Sequence, residues 1–296
     1  MRIGIDLGGT KTELAALDPA TGAELCARVR APTPKEYDGV IRMIGDLVAG
    51  CEAKTGRTGT VGVGIPGTVS KQTGLVKNAN STWLIGKPLD RDLAEVLGRP
   101  VRLQNDANCF AVSEAHDGAG AGAEVVFGVI IGTGTGAGIV VRGEVLGGVN
   151  GIGGEWGHNP LPWPRDDERP GPACYCGKHG CVETWVSGPA LAADYRRATG
   201  EDLTTHEIAE AATPEARAAL DRYADRLARG LAHVINIVDP DVIVLGGGMG
   251  NLTYLYEEVP RRWGAYVFSD SVVTALCPPT HGDSSGVRGA AWLWLA

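Results

Sequence analysis

Two stretches of this sequence nearly duplicate each other, and their repetition limits the fold more than any other feature. Residues 2–17 read R-I-G-I-D-L-G-G-T-K-T-E-L-A-A-L. Ile3, Ile5 and Leu7 alternate there as a strand, and Thr12, Leu14 and Ala16 resume the alternation after the glycines. Residues 126–141 read V-F-G-V-I-I-G-T-G-T-G-A-G-I-V-V, again two apolar strands around a Gly/Thr turn. This is strand–turn–strand, not the strand–turn–helix of a Rossmann or P-loop unit, and the Walker A pattern is absent. A third strand, D-V-I-V-L (241–245), ends in Gly246-Gly247-Gly248. The repetition predicts an α/β chain of two related halves facing each other across a cleft.

Glycines let backbone N–H groups approach an anion closely, and threonine hydroxyls add donors. One such turn is usually only a turn, but two of them plus a strand ending in three glycines point to a nucleotide site. Asp6, at the end of the first strand, is the natural carboxylate for Mg²⁺, held through water. Lys11 is either a phosphate contact or a solvated lysine.

A second kind of chemistry lies between Glu155 and Glu183. E-W-G-H (155–158) is followed, after a Pro-rich stretch, by C-Y-C-G-K-H-G-C-V-E (174–183). His158, Cys174, Cys176 and Cys181 make a Cys₃His set, which closes a tetrahedral zinc ion and leaves no position for water. Such a metal is structural. The competing reading is three reduced cysteines beside a surface histidine; Gly177 and Gly180, which allow tight folding between ligands, favour the metal.

The net charge of −8 disfavours nucleic acid and acidic membrane as partners. Asp6 and Lys11 sit where a secretory signal would need its apolar core, and no run of 18 apolar residues exists. Seven cysteines, an odd number with three in a metal-like cluster, suit a reducing cytosol better than a disulfide framework. At 296 residues the chain has room for one large or two ordinary domains.

Between the motifs, periodicity predicts a helix over about 35–54, a strand at 61–65 and another ending at Leu103. Asn105-Asp106-Ala107-Asn108 opens a helix running toward Glu114, with Asn or Asp as its cap. Thr213-Pro214-Glu215 starts a long helix with Leu220, Leu227, Leu231 and Ile235 on one face, and Asp239-Pro240 stops it. From Asp283-Ser284-Ser285 the tail reads as a capped, small-residue helix. No linker divides the chain. The expected cut is topological: a smaller lobe over 1–117, a larger one over 118–282 carrying the 155–183 loop, and a helix at 283–296 returning to the first.

Taken together, D-L-G-G-T-K, G-I-P-G (64–67), N-D-A-N (105–108), G-T-G-T-G (132–136), E-W-G-H, C-Y-C-G-x-x-G-C-x-E and L-G-G-G resemble the ROK sugar kinases along the whole chain. The resemblance implies an actin/hexokinase-like two-lobed fold of duplicated ribonuclease H-like domains, with an inserted structural zinc loop. It implies Asp106 as catalytic base and Gly67, Asn105, Glu155, His158 and Glu183 around the sugar, with Zn²⁺ on His158 and the three cysteines. Gly8, Gly9, Thr10, Thr133, Gly134 and Gly247 would line ATP, with Mg²⁺ beside it. Asn80 adds one more rigid group to the sugar pocket. A cytoplasmic homodimer is the family expectation. N-A-N-S-T-W-L-I-G-K-P-L, E-W-G-H-N-P-L-P-W and H-G-D-S-S-G-V-R-G-A-A-W-L-W most resemble the fructokinase/mannokinase branch, with N-acetylglucosamine kinases next. Fructose 6-phosphorylation, with mannose accepted, is therefore the expected activity.

A sugar hydroxyl is a poor nucleophile, so a carboxylate at its proton has a defined task. The bland alternative for Asp106 is a helix cap, which Asn105 could also supply. Two other classes compete with a kinase. A sugar-sensing regulator is disfavoured because Asp106 is retained and the first strand begins at residue 2 or 3, with no room for the upstream helix-turn-helix of ROK repressors. A zinc hydrolase would need an open metal position, which four protein ligands deny.

Overall fold

The computed structural model of the chain describes residues 1–282 and 285–294. Strands β1 (Arg2–Leu7) and β2 (Lys11–Leu17) form the first hairpin, followed by β3 (Val29–Pro32), helix α1 (Tyr37–Thr55) and β4 (Thr60–Ile65). A short ribbon, β5 (Thr68–Val69) with β6 (Val76–Lys77), leads to α2 (Leu89–Leu97), β7 (Val101–Asn105) and α3 (Asp106–Asp117). The second hairpin is β8 (Val125–Ile131) with β9 (Thr135–Val141), followed by β10 (Glu144–Val145). After the cysteine segment come α4 (Glu183–Val186), α5 (Gly188–Thr199), α6 (Thr205–Glu210) and α7 (Pro214–Val238). The chain continues through β11 (Val242–Gly246), α8 (Thr253–Trp263), β12 (Ala275–Cys277) and α9 (Ser285–Trp292).

The duplication expected from the two hairpins is complete at the level of topology. One five-stranded sheet runs β3-β2-β1-β4-β7 and the other β10-β9-β8-β11-β12. In each, the hairpin is antiparallel and two further strands add parallel to its first strand: β4 and β7 to β1, β11 and β12 to β8. Strands parallel to one another bring their carboxyl ends to one edge, where ligands bind in open α/β sheets.

Local sequence explains most boundaries. Thr213 Oγ1 accepts the Ala216 N–H at 3.2 Å and Pro214 takes the first turn of α7; Asp239, left-handed at φ 48°, ends it. Strand β7 runs two residues past Leu103, because Gln104 and Asn105 still pair with Gly64 and Ile65 of β4. Those two polar residues carry no apolar alternation, which is why the strand looks shorter in sequence.

Three apolar clusters follow from this layout. Ile3, Ile5, Val61 and Val63 pack with Val40 and Ile44 of α1. Phe127, Val129 and Ile243 pack with Tyr223, Leu227 and Leu231 of α7. Between the sheets lie Phe110 and Val112 of α3, Val126, Val244 and Trp292. Helices α3 and α9 cross there so closely that a Cβ on Gly289 would stand 1.6 Å from the Cys109 carbonyl oxygen. Fully buried Glu114 fastens the crossing, accepting from Ser285 Oγ at 2.7 Å and the Thr280 N–H at 3.0 Å. The expected cap residues Asp283 and Ser284, and the end of the tail at Leu295 and Ala296, lie outside the described residues. No helix among the described residues is long and apolar enough to cross a membrane.

Candidate active site

At the carboxyl edge of the first sheet, β7 passes directly into α3 through Asn105 and Asp106. Asn105 is the N-cap: its Oδ1 accepts the Ala107 N–H at 3.0 Å, and its Nδ2 donates to the Gly67 carbonyl at 3.1 Å. The cap role is thus filled by Asn105. Asp106 Oδ1 also accepts the Ala107 N–H, at 2.8 Å, and its other oxygen is left for the cleft. Its side chain reaches solvent there but is ringed by protein. That desolvation pushes its pKa up, the Ala107 N–H pulls it back, and the Glu155 charge raises it further. Asp6 is similarly affected: burial first, then the charges of Asp106 and Glu13, bring it to about 6, with Lys11 opposing. A half-buried carboxylate with two carboxylate neighbours is a donor that a divalent cation would suit.

Across the cleft, Trp156 fixes E-W-G-H. It is buried edge-on to Phe127 with ring centroids 5.8 Å apart, so Glu155 and His158 flank an anchored residue and face outward. The cysteine segment folds as a knuckle, with Cys174 N–H donating to the Lys178 carbonyl and Gly177 N–H to that of Cys174. His158 Nδ1 lies 3.6 Å from Cys174 Sγ, and Cys176 Sγ lies 3.6 Å from Cys181 Sγ. All four ligand atoms fall within 4.8 Å of one another. Zn–S bonds of about 2.3 Å in a tetrahedron require edges of about 3.8 Å, so the set has the size of one closed zinc site. The acidic insert between His158 and Cys174 does not disturb it, because Glu168 is buried between Arg226 and Arg229 of α7.

These elements enclose a cleft of about 610 Å³. Gly67, Asn80, Asn105, Asp106, Glu155, His158 and Glu183 all line it, together with Thr133 and Gly134. Pro66, Thr68, Asn78, Ala79 and Tyr175 also line it and were not singled out by sequence. Asn78 had a signal, since it sits in N-A-N with φ 55°, a conformation Asn tolerates better than most residues.

Gly132 and Thr133 also border a second cavity of about 890 Å³, walled by Gly188, Pro189, Ala192, Thr205, Met249, Leu252 and Tyr254 among others. The two spaces therefore share the second Gly/Thr turn as a common boundary. Gly248 lines this cavity, and Gly247 shapes its edge: at φ 76° it lies so close to β8 that a Cβ would stand 2.4 Å from the Ile131 carbonyl oxygen. Asp6, Gly8, Gly9, Thr10, Lys11 and Gly247 are not among the residues lining either space. Gly9, Thr10 and Lys11 are exposed on the turn of the first hairpin.

The ROK family model matches residues 2–296. The N-acetyl-D-glucosamine kinase of Haemophilus influenzae is 40% identical over 304 aligned residues, spanning 100% of this chain and 99% of that protein. The ROK hexokinase of Thermus thermophilus superposes with a TM-score of 0.87 at 33% identity, covering 98% of this chain and 96% of that one. The ROK family glucokinase of Streptomyces griseus, solved with glucose and AMPPNP, gives 0.77 at 27% identity, covering 99% and 98%. The expected two-lobed, hexokinase-like α/β architecture holds. The expected fructokinase and mannokinase specificity does not, because relatives 38–40% identical along the whole chain are N-acetyl-D-glucosamine kinases. Of the motifs behind that expectation, Asn78, Ala79, Asn80, Glu155 and His158 line the cleft and the last builds α9; none of them reports by itself on the one or two carbons at which hexoses differ. Along its whole described length, the chain belongs to the ROK family.

Proposed function

We propose that this protein is an ATP-dependent N-acetyl-D-glucosamine kinase that transfers the γ-phosphoryl group to the sugar's 6-hydroxyl. The observation that carries the reaction class is the cleft itself, in which Asp106 stands among six other polar or backbone groups and which shares Gly132 and Thr133 with a second cavity. The choice of sugar rests on the full-length similarity to an N-acetyl-D-glucosamine kinase. The 6-hydroxyl is the one primary alcohol of a hexopyranose and the least hindered nucleophile it offers.

In this reading Asp106 accepts the 6-hydroxyl proton as that oxygen bonds to the γ-phosphorus, and ADP leaves along the same line. Asn80, Asn105, Glu155, His158 and Glu183 hold the remaining hydroxyls, replacing the water each loses on entry. Thr133 and Gly134 receive the phosphates and the second cavity takes the nucleoside. Asp6 would hold Mg²⁺, which when bound screens phosphate charge. The first Gly/Thr turn, Gly8 to Lys11, approaches the phosphates from the opposite lobe, and Gly247 keeps the nucleoside side open.

His158, Cys174, Cys176 and Cys181 would hold Zn²⁺, which supplies rigidity rather than Lewis acidity, since four protein ligands close it. Its task is to keep His158, Glu155 and Glu183 in register. The closed set also argues against a zinc hydrolase.

The test is ATP consumption, coupled to ADP detection, across a panel of N-acetylglucosamine, glucose, mannose and fructose, with the product's phosphate position read by NMR. N-acetylglucosamine should give the highest kcat/KM and the 6-phosphate. A higher kcat/KM for any other hexose on the panel would overturn the substrate reading.

A further inference from the structure

Tyr175 is the residue between the first two cysteines, and it is 84% exposed although its ring lies in the cleft. Among the described residues its one hydrogen bond is with His158: the phenol oxygen lies 2.9 Å from Nε2, and the rings meet edge to face with centroids 5.0 Å apart. When His158 Nδ1 binds the zinc that the Cys₃His set would hold, the ring proton sits on Nε2 and donates to the phenol oxygen. The phenol's own O–H is then free, and one face of its ring is bare.

What could meet that group follows from the shape of the sugar. In a pyranose ring C2 lies diagonally across from C5, the carbon that bears the 6-hydroxymethyl group. With the 6-hydroxyl at Asp106, the C2 substituent is the part of the sugar carried furthest from Asp106. Glu155 is near enough to influence both Asp106 and Tyr175, and Glu183 also neighbours Tyr175, so Tyr175 stands with the two glutamates of the cleft, while Asp106 accepts its hydrogen bond from Ala107. A 2-acetamido group offers a carbonyl acceptor and a methyl. Tyr175 offers an uncommitted O–H and an uncovered aromatic face.

We propose that Tyr175 is a specificity-determining residue that reads the 2-acetamido group, donating its O–H to the amide carbonyl and covering the methyl with its ring. The inference rests on the N-acetylglucosamine reading given above and deepens it. A 2-hydroxyl is too short to reach either feature, so Tyr175 would separate 2-acetamido sugars from plain hexoses.

The test compares N-acetylglucosamine with glucose for the wild type, Tyr175→Phe and Tyr175→Ala. Two ratios are read: kcat/KM, and dissociation constants by calorimetry in an Asp106→Asn background. Metal content and melting temperature of each variant report whether the knuckle is intact; the side chain's exposure makes folding failure an unimportant risk. The preference for N-acetylglucosamine should fall about fivefold in Tyr175→Phe, as expected for a lost neutral hydrogen bond, and at least tenfold in Tyr175→Ala, mainly through KM. A ratio unchanged within twofold in both variants, in a wild type that does phosphorylate N-acetylglucosamine, overturns the role of Tyr175 alone. A wild type inactive on N-acetylglucosamine overturns the substrate reading and the acetamide contact with it.

Discussion

The backbone N–H of Thr135 donates to Glu183 Oε2 at 2.9 Å, joining the second Gly/Thr turn to the end of the cysteine segment. One carboxylate oxygen of Glu183 is thereby spent on positioning, and the other remains for the cleft. The arrangement needs a glycine next door, because a Cβ on Gly134 would stand 2.8 Å from that same oxygen. Gly134→Ala should therefore displace Glu183, whose flexible end can move, rather than unfold the protein. The expected result is a KM for sugar raised about tenfold, the scale of a lost hydrogen bond to a charged group, with a melting temperature close to wild type. An unchanged KM would show that Glu183 does not need Thr135.

Asp106→Asn should lower kcat by roughly 10²–10⁴-fold, the range for a lost general base, while nucleotide affinity stays near wild type. The pH profile offers a second check. Desolvation by the surrounding protein and the Glu155 charge raise the Asp106 pKa, and protonation removes the base, so wild-type kcat/KM should fall on the acid side along a limb displaced above the ordinary carboxylate range of about 3.9. That limb should vanish from the residual activity of the variant. The same shift has a stability consequence with the opposite sign from most carboxylates. A folded-state pKa above the unfolded value means stability is lost as pH rises through the folded pKa, so at neutral pH the Asn variant should melt higher than wild type.

What sequence shows of this protein follows from how local each signal is. Alternation around Gly8-Gly9 and Gly132–Gly136 specifies both hairpins, and their likeness is enough to anticipate two sheets with the same strand order. The cleft was legible because its polar groups sit inside compact motifs, N-D-A-N and E-W-G-H, each set beside a cap or a buried anchor. The second cavity was not, because Pro189, Thr205, Met249 and Tyr254 come from four separate segments with no shared local pattern. Tyr175 was hidden for another reason: between two cysteines it reads as spacing, and only the fold turns its ring into the cleft. The preferred sugar was misread because the resemblance weighed motifs that a whole class of sugar kinases requires.

Metal analysis of protein purified without added zinc should give one Zn²⁺ per chain. Cys176→Ala should lose it and weaken sugar binding more than nucleotide binding, since the cluster adjoins His158 and Glu183 while the second cavity is built elsewhere. Acid or strong chelators should release metal and activity together, because thiolate ligands must be deprotonated. Fully active enzyme with a stoichiometry near zero would reduce the cysteines to ordinary thiols.

The insert that leads into the knuckle has its own anchor, and the strength of that anchor should depend on pH. Glu168 receives both Nη atoms of Arg229 at 2.8 Å and the Nε of Arg226 at 2.8 Å, with all three side chains buried. Burial alone would raise the Glu168 pKa, but the two guanidiniums outweigh it and hold the carboxyl at about 2. Glu168→Gln keeps the shape and removes the charge, leaving Arg229 and Arg226 dependent on Asp225 and Asp194. Breaking one partner of a buried pair costs about 3–5 kcal/mol, so denaturant unfolding at pH 7 should show a loss of that order. The sign with pH is set by the depressed value: the stabilisation is complete above the unfolded pKa of about 4.3 and is lost as pH falls toward 2. The gap between wild type and variant should therefore be constant from pH 7 to about 5 and close progressively below it. A gap that persisted undiminished at pH 2–3 would mean that the glutamate acts through packing, and that charge has little part in holding the insert to α7.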